Sequence, residues 1–150
     1  MINDNPTEND IKYMRMALKE AECALMKNEI PIGAIVVCNN NIIARAHNLT
    51  ETLHDVTAHA EMQAITAASE FLGGKYLKDC TLYVTIEPCV MCAGAIGWSQ
   101  LGRLVFGAPD AKRGYQAFAP QALHPKTHVT MGILEEECSD IVKQFFLSKR

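Results

Sequence analysis

Four residues in two short motifs have the types and the spacing for metal chemistry. Cys89 and Cys92 form a C-x-x-C pair that follows an apolar run, and His59 and Glu61 lie two residues apart; each motif opens a predicted helix. Positions i and i+2 diverge on a helix body, so His59 and Glu61 can converge on one target only near the helix end. One imidazole and two thiolates suit zinc. A helix N-terminus favours the thiolate that zinc requires, because free N–H groups and the helix dipole stabilise negative charge there.

Several interpretations of the cysteine pair are open at this point. A structural zinc site is usually closed by four protein ligands, and His47 or Cys80 could supply the fourth. A thioredoxin-like redox pair needs no H-x-E partner. Glu61 serves no structural purpose beside a ligand histidine, but it suits a general base next to an activated water. The combination therefore favours a hydrolytic metal centre over a redox pair or a non-catalytic zinc-containing RNA-binding module.

The hydrophobic pattern predicts the elements that must position these motifs. Apolar residues spaced by three and four predict a first helix that Pro31 ends. A hairpin follows, made of "IGAIVV" and "IIARAH" around a turn at Asn39-Asn40-Asn41. "AHAEMQAITAASEFL" reads as a helix ended by Gly73-Gly74, and "TLYVTI" as the strand before the cysteine helix, with Pro88 in that helix's first turn. "RLVFGA" is a strand, residues 109–127 are irregular, and a short strand precedes the closing helix "EEECSDIVKQFFLSKR".

Strands interleaved with helices predict an α/β fold in which one sheet is covered on both faces. The 150 residues suit a single domain over residues 1–150. The polar N-terminus lacks the pattern of a signal peptide, and no apolar stretch approaches the roughly 20 residues that cross a bilayer. We therefore expect a cytoplasmic protein without a membrane partner, whose six cysteines are thiols.

The H-x-E motif followed by P-C-x-x-C matches the signature of the zinc nucleobase deaminases. Four longer segments, "EIPIGAIVV", "HNLTETLHDVTAHAE", "LYVTIEPCVMCAGAI" and "GRLVFGAPDAKRG", extend this match over nearly the whole chain. They resemble the bacterial tRNA-specific adenosine deaminases, within the zinc-dependent cytidine/deoxycytidylate deaminase superfamily. The resemblance implies a three-layer α/β/α sandwich with a mixed five-stranded sheet, and a homodimer.

The resemblance also implies a reaction and a role for each matching residue. The wobble adenosine of a tRNA anticodon stem-loop would be deaminated to inosine, with Glu61 moving protons. Asn48 would hydrogen-bond the base, and the backbone N–H of Ala60 would lie near its reacting edge. One Zn²⁺ per subunit would be the cofactor, with no organic cofactor. The implied zinc ligands are His59, Cys89 and Cys92.

The identity of the substrate base stays open, because the chain departs from that family beyond Gly114. Residues 115–120 read "YQAFAP", where the family usually has small residues and a serine, and Trp98 is similar to an aromatic residue of guanine deaminases. These aromatic side chains serve either packing and dimer contacts or the stacking of a base. Deamination of free guanine, free cytosine or a nucleoside is therefore the alternative function.

Positive charge is local rather than general. The net charge of −3 argues against a broad nucleic-acid surface but permits a local basic patch. Lys143, Lys149 and Arg150 lie on the predicted last helix beside Phe145 and Phe146. This combination suits an RNA stem-loop, and it is equally typical of a solvated helix end.

Overall fold

One mixed sheet organises the structure, a computed structural model that describes residues 2–150. The helices are α1 (Asp10–Met26), α2 (Ala60–Leu72), α3 (Val90–Ser99), α4 (Tyr115–Phe118) and α5 (Glu135–Ser148). The strands are β1 (Ile2–Asn3), β2 (Gly33–Cys38), β3 (Asn41–His47), β4 (Cys80–Ile86), β5 (Arg103–Ala108) and β6 (His128–Met131). Their order across the sheet is β1-β6-β5-β4-β2-β3.

The strand directions confirm the expected mixed sheet, with one additional strand. β2 runs antiparallel to both β3 and β4, whereas β4, β5, β6 and β1 are parallel. Six strands stand where the resemblance implied five, because residues 2–3 pair with β6. The N–H of Ile2 donates to the carbonyl of Thr127, and that of Asp4 to the carbonyl of Val129, both at 2.8 Å. So short and exposed a strand has no hydrophobic alternation that could reveal it.

Alternate residues of the central strands face two separate cores, which produces the three layers. In β2, Val36 belongs to a core with Ala64 of α2 and Ile96 of α3. Its neighbour Ile35 belongs to the opposite core, with Met14 of α1 and Cys138 of α5. The expected α/β/α sandwich is therefore confirmed, with α2 and α3 on one face of the sheet and α1 and α5 on the other.

The ends of several elements differ from their predicted positions. α1 ends at Met26, well before Pro31, since Asn28 adopts a left-handed conformation with φ of 61°. Pro88 precedes α3 instead of lying in its first turn. The stretch predicted as irregular contains the short helix α4. Within residues 2–150, no helix is both long and apolar enough to cross a membrane.

A close approach of backbones sets α1 against the edge of the hairpin. A Cβ placed on Gly33 would lie 2.0 Å from the carbonyl oxygen of Ala17 and 2.5 Å from the nitrogen of Ala21. Only glycine permits this distance, so α1 packs directly on the start of β2. The chain just before β2 is held in place as a result, and it borders the cavity described below.

A buried ion pair joins α1 to β5. Asp10 is fully buried, and Arg103 donates to both of its carboxylate oxygens, from Nη1 at 2.7 Å and from Nη2 at 2.8 Å. The hydroxyl of Tyr83 donates to Oδ1 at 2.8 Å. Burial opposes ionisation of Asp10, but the hydrogen bonds from Arg103, Thr7 and Tyr83 outweigh it and lower the pKa of Asp10 from 3.8 to about 2. Asp10 is therefore a charged residue satisfied inside the fold.

Candidate active site

Two helix N-termini meet beyond the carboxyl end of β4. His59 is the N-cap residue of α2 and Cys89 is the N-cap residue of α3, and both have extended backbone conformations. Cys92 follows in the first turn of α3. Since β4 ends at Ile86, the chain reaches Cys89 directly from the middle of the sheet. Crevices at the carboxyl ends of strands are the usual ligand sites of α/β sheets.

The three side chains predicted as ligands have the spacing of a zinc site. Nδ1 of His59 lies 3.6 Å from Sγ of Cys89 and 3.5 Å from Sγ of Cys92. All the ligand atoms of this group lie within 4.8 Å of one another. Zinc bonds of about 2.0 Å to nitrogen and about 2.3 Å to sulfur, at tetrahedral angles, separate N and S by roughly 3.5 Å. The geometry and the donor types therefore fit a zinc ion.

The group has three members among the described residues, and the two residues considered as a fourth ligand lie elsewhere. His47 is bonded through Nδ1 to Glu20 at 2.9 Å and through Nε2 to Lys27 at 3.0 Å. Cys80 lies opposite Cys38 in the β2–β4 ladder. Three protein ligands leave one zinc position for solvent, as in catalytic rather than structural sites.

The electrostatics of the site favour a thiolate before any metal binds. The hydrogen bond between the two thiol groups lowers the pKa of Cys89 to about 4 and raises the pKa of Cys92. The hydrogen bond with Cys89 also raises the pKa of His59. Bound zinc would deprotonate both thiols, so this asymmetry belongs to the metal-free chain.

Glu61 lies next to this group with its carboxyl group almost fully buried. It occupies the first turn of α2 and is 4% exposed. Burial raises the pKa of Glu61 from 4.5 to about 7, because the charged form loses its hydration. A carboxyl group with a pKa near neutrality can both accept and return a proton, which is what a general acid–base group must do.

A cavity of about 420 Å³ opens on these residues. This volume lies within the roughly 300–1,000 Å³ of small-molecule sites. Its apolar lining comes from Ile30, Ile32, Ile86, Val142 and Phe146. Its polar lining comes from Asn48, Thr50, His59, Glu61, Glu87, Cys89, Asp110 and Arg113, and Ala60 also lines it. His59 and Cys89 of the candidate metal group thus line one cavity together with Glu61, Asn48 and Ala60, whereas Cys92 is fully buried.

Asn48 is held rigidly at the wall of this cavity. It is 5% exposed, and its backbone N–H donates to the carbonyl of Ile32 at 3.0 Å. Its side-chain Oδ1 accepts from the N–H of Thr50 at 3.2 Å, and Nδ2 donates to the carbonyl of Ile30 at 3.4 Å. Because Nδ2 carries two hydrogens, a second donor remains for a ligand.

The aromatic residues that could have stacked on a base occupy different environments. Tyr115 is fully buried and packs edge-to-face on Phe106, so it belongs to the core. Trp98 is 85% exposed and Phe118 is 63% exposed, and both lie outside the cavity lining. Phe146 of α5 does line the cavity. Of these candidates, only the last helix brings an aromatic ring to the site.

Two buried carboxylates near the cavity were not singled out by the motifs. Glu29 is fully buried and Glu87 is 6% exposed. The available indication was a glutamate within an otherwise apolar run, in "EIPIG" and in "VTIEP". Acidic residues are almost never fully buried unless they are paired, so such positions point to a specific function.

Replacing Cys92 with alanine is expected to abolish zinc binding. Two remaining ligands hold the ion far more weakly than three, and Cys92 is fully buried inside the group. Metal analysis of the purified variant is the measurement. Cys138→Ala is the matched control, because Cys138 is equally buried but packs under β5 in the opposite core. A full complement of zinc in Cys92→Ala would contradict the assigned ligand set.

Comparisons with known proteins agree on one family. The family model for MafB19-like deaminase matches residues 8–150. The tRNA-specific adenosine deaminase of Bacillus subtilis (strain 168) is 46% identical over 146 residues, which covers 94% of this chain and 91% of that protein. The same name applies to a 43% identical protein of Agrobacterium fabrum, over 92% of this chain and 94% of that protein.

A solved structure gives the same result for the fold. It comes from studies of A-to-I editing by tRNA:A34 deaminases at the wobble position of transfer RNA. It is 42% identical, superposes with a TM-score of 0.81, and covers 87% of this chain and 98% of its own. Sequence and fold together place this chain in the family of the tRNA-specific adenosine deaminases, among the MafB19-like deaminases.

Proposed function

We propose that this chain is a zinc-dependent hydrolytic deaminase that converts the wobble adenosine of a tRNA anticodon to inosine. The observation that carries this proposal is the three-ligand group His59, Cys89 and Cys92 beside the buried Glu61, at a cavity that His59, Cys89 and Glu61 line. Names and structures of close relatives support the substrate. We assign the reaction to a single domain, residues 1–150, acting in the cytoplasm.

The metal ligands and Glu61 have different roles in the proposed reaction. His59, Cys89 and Cys92 would hold a zinc ion, which would supply Lewis-acid activation of a water molecule by lowering its pKa towards about 7. Glu61 accepts the proton of the attacking water and delivers it to the ring nitrogen beside the amino-bearing carbon. Glu61 then takes the remaining proton from the new hydroxyl group as the C=O bond forms, and passes it to the amino group, whose C–N bond breaks and which leaves as ammonia. The burial of Glu61 supports this cycle, because the loss of hydration disfavours its charged form and eases its protonation.

The cavity walls supply the orientation of the base. The free donor of Asn48 contacts the base edge, and the N–H of Ala60 lies near the reacting carbon. The N–H groups in the first turn of a helix have no acceptor within that helix, so Ala60 suits this role. The apolar walls that Ile30, Ile32 and Ile86 contribute suit the packing of a base and the exclusion of water.

An RNA partner is supported by a second depression beside the cavity. Its volume is about 430 Å³, and Lys27, Lys149 and Phe145 line it. Ile30, Thr50 and Phe146 line both the depression and the cavity, so the two are contiguous. Lys149 lies over the ring of Phe145, and a cation beside an aromatic ring suits the phosphates and the unstacked bases of an RNA loop.

Deamination of a free base is the second candidate function. A solved guanine deaminase from Bacillus subtilis is 38% identical over 65% of this chain and 63% of its own, with a TM-score of 0.63. The discriminating experiment incubates the zinc-loaded protein with guanine, cytosine, adenosine and an anticodon stem-loop carrying a wobble adenosine. Ammonia and inosine are then measured. We expect turnover on the stem-loop, whereas activity on free guanine alone would replace the tRNA assignment.

We further propose that the protein is a homodimer, formed through α3. Trp98 is 85% exposed, and Val90, about two turns away on the same helix, is 45% exposed. An exposed tryptophan beside further apolar surface is typical of an interface anchor. Trp98→Ser is expected to shift the protein from dimer to monomer in sedimentation velocity, with its circular dichroism unchanged. A monomeric wild-type protein, or a variant as dimeric as wild type, would exclude this interface.

A further inference from the structure

We propose that Glu29 and Glu87 are positioning residues that hold the two loops lining the cavity. The first, the β3–α2 loop (residues 48–59), carries Asn48 to the site. The second, which we call the β5–α4 loop, comprises residues 109–114 and the first two residues of α4 (115–116). It borders the cysteine turn, residues 88–89 just before α3. Neither glutamate is assigned a contact with the reacting atoms. The inference rests on the proposed function, because the loops matter to catalysis only if the cavity receives the base.

The carboxylate of Glu29 holds the β3–α2 loop by accepting hydrogen bonds from backbone N–H groups of that loop. Its Oε1 accepts the N–H of Glu51 at 3.1 Å, and its Oε2 accepts the N–H of Thr52 at 2.7 Å. The N–H of Leu49 donates to the carbonyl of Ala58 at 3.0 Å and closes the base of the loop. Glu29 therefore holds the tip of the loop, and the backbone hydrogen bond between Leu49 and Ala58 holds its two ends together. Asn48 lies next to that hydrogen bond, where the loop begins.

Glu87 fastens the β5–α4 loop in the same manner. Its Oε1 accepts the N–H of Asp110 and its Oε2 the N–H of Gln116, each at 3.0 Å. The loop also approaches the cysteine turn directly, because the N–H of Tyr115 donates to the carbonyl of Pro88 at 2.9 Å. A Cβ on Gly114 would lie 2.3 Å from the carboxyl carbon of Glu87, so the glycine makes room for this contact.

The two arrangements require a carboxylate rather than any buried polar group. Each glutamate receives two N–H donors, one on each oxygen, and an ionised carboxylate accepts at both. Glutamine has the same shape but would direct its NH₂ group towards one of those donors. The variant would thus lose one hydrogen bond and leave a backbone N–H without an acceptor. For Glu29, hydrogen bonds from Thr52 and Glu51 overcome the opposing effect of burial and lower its pKa.

The loops carry polar groups that face the bound base. Asn48 and Thr50 line the cavity from the first loop, and Asp110 and Arg113 line it from the second. Catalysis depends steeply on placement, since a misplacement of about 1 Å can cost about 100-fold in rate. Loosening the β3–α2 loop through Glu29 should therefore lower kcat/KM without altering a residue of the cavity wall. Glu87 itself also lines the cavity, so the Glu29 variant is the cleaner test of positioning.

The test compares Glu29→Gln and Glu87→Gln with Asp10→Asn as a matched control. Asp10 is also a buried carboxylate with several donors, but it lies in the α1–β5 ion pair. Two readouts are needed: hydrogen exchange of the loop amides by mass spectrometry, and kcat/KM on the anticodon stem-loop, with zinc content measured for every variant. We expect faster exchange confined to residues 50–53 or 109–117 and a 10- to 100-fold lower kcat/KM at full zinc content. Asp10→Asn should change neither the loop exchange nor kcat/KM when both are measured at a temperature where that variant is folded.

The outcomes separate this inference from the proposed function. Loop exchange and kcat/KM unchanged from wild type in both glutamine variants would overturn the positioning role. A wild-type protein that deaminates none of the substrates would instead refute the proposed function, whatever the exchange data show. If a glutamine variant fails to fold, Glu29→Asp and Glu87→Asp keep the charge but shorten its reach. Unaltered exchange and unaltered kcat/KM in those variants would equally overturn the inference.

Discussion

Glu61→Gln is expected to retain a full complement of zinc and to lose nearly all deaminase turnover. Glutamine has the shape of glutamate, so the group His59, Cys89 and Cys92 should remain intact. It cannot, however, accept a proton from water and pass it to the base. Each general acid–base group typically raises the reaction rate by about 10²- to 10⁴-fold, and Glu61 acts in successive proton transfers. We therefore expect a loss in kcat at or above the upper end of that range.

The measurement is single-turnover formation of inosine in the anticodon stem-loop, with metal analysis of the same preparation. Glu70→Gln is the matched control, because Glu70 lies on the same helix but is exposed. It should retain wild-type activity. Normal turnover in zinc-replete Glu61→Gln would show that another group moves the protons.

The ligand group could be predicted from sequence because its chemistry is rare and its spacing is local. Cys89 and Cys92 are one helical turn apart, and His59 begins another helix that follows a loop. The order of elements predicted one sheet, and in such a sheet the two helix starts can reach the same edge. The structure supplies the N–S distances, which no spacing along the chain could give.

The walls of the cavity could not be predicted, since they depend on contacts between distant parts of the chain. Phe146 reaches the site from the last helix, and it lies farther along the chain than any residue of the two motifs. The sequence left two interpretations of Tyr115 open, packing or a platform for a base, and its burial against Phe106 places it in the core. The roles of Glu29 and Glu87 could not be predicted either, because a glutamate in an apolar run does not reveal which N–H groups will donate to it.

Arg103→Ala is expected to lower the free energy of unfolding by about 3–5 kcal/mol, the usual cost of removing one partner from a buried ion pair. Asp10 would keep its charge in a fully buried position and lose the two hydrogen bonds at 2.7 and 2.8 Å. Tyr83 and Thr7 still donate to it, but neither carries a compensating charge. Urea denaturation followed by circular dichroism measures the change. Arg45→Ala, at an exposed position on β3, should change stability by less than about 0.5 kcal/mol.

The pH dependence identifies the ion pair as the source of this loss. In the folded chain the pKa of Asp10 is about 2, below its ordinary value of 3.8. A lowered pKa means that the contribution of ionised Asp10 is complete above a pH of about 4 and is lost as the pH falls towards 2. The difference in stability between wild type and Arg103→Ala should therefore narrow as the pH falls towards 2, because protonated Asp10 no longer needs a cation. A difference that stays constant from pH 7 to the acid limit would attribute the loss to the packing of the arginine side chain instead of its charge.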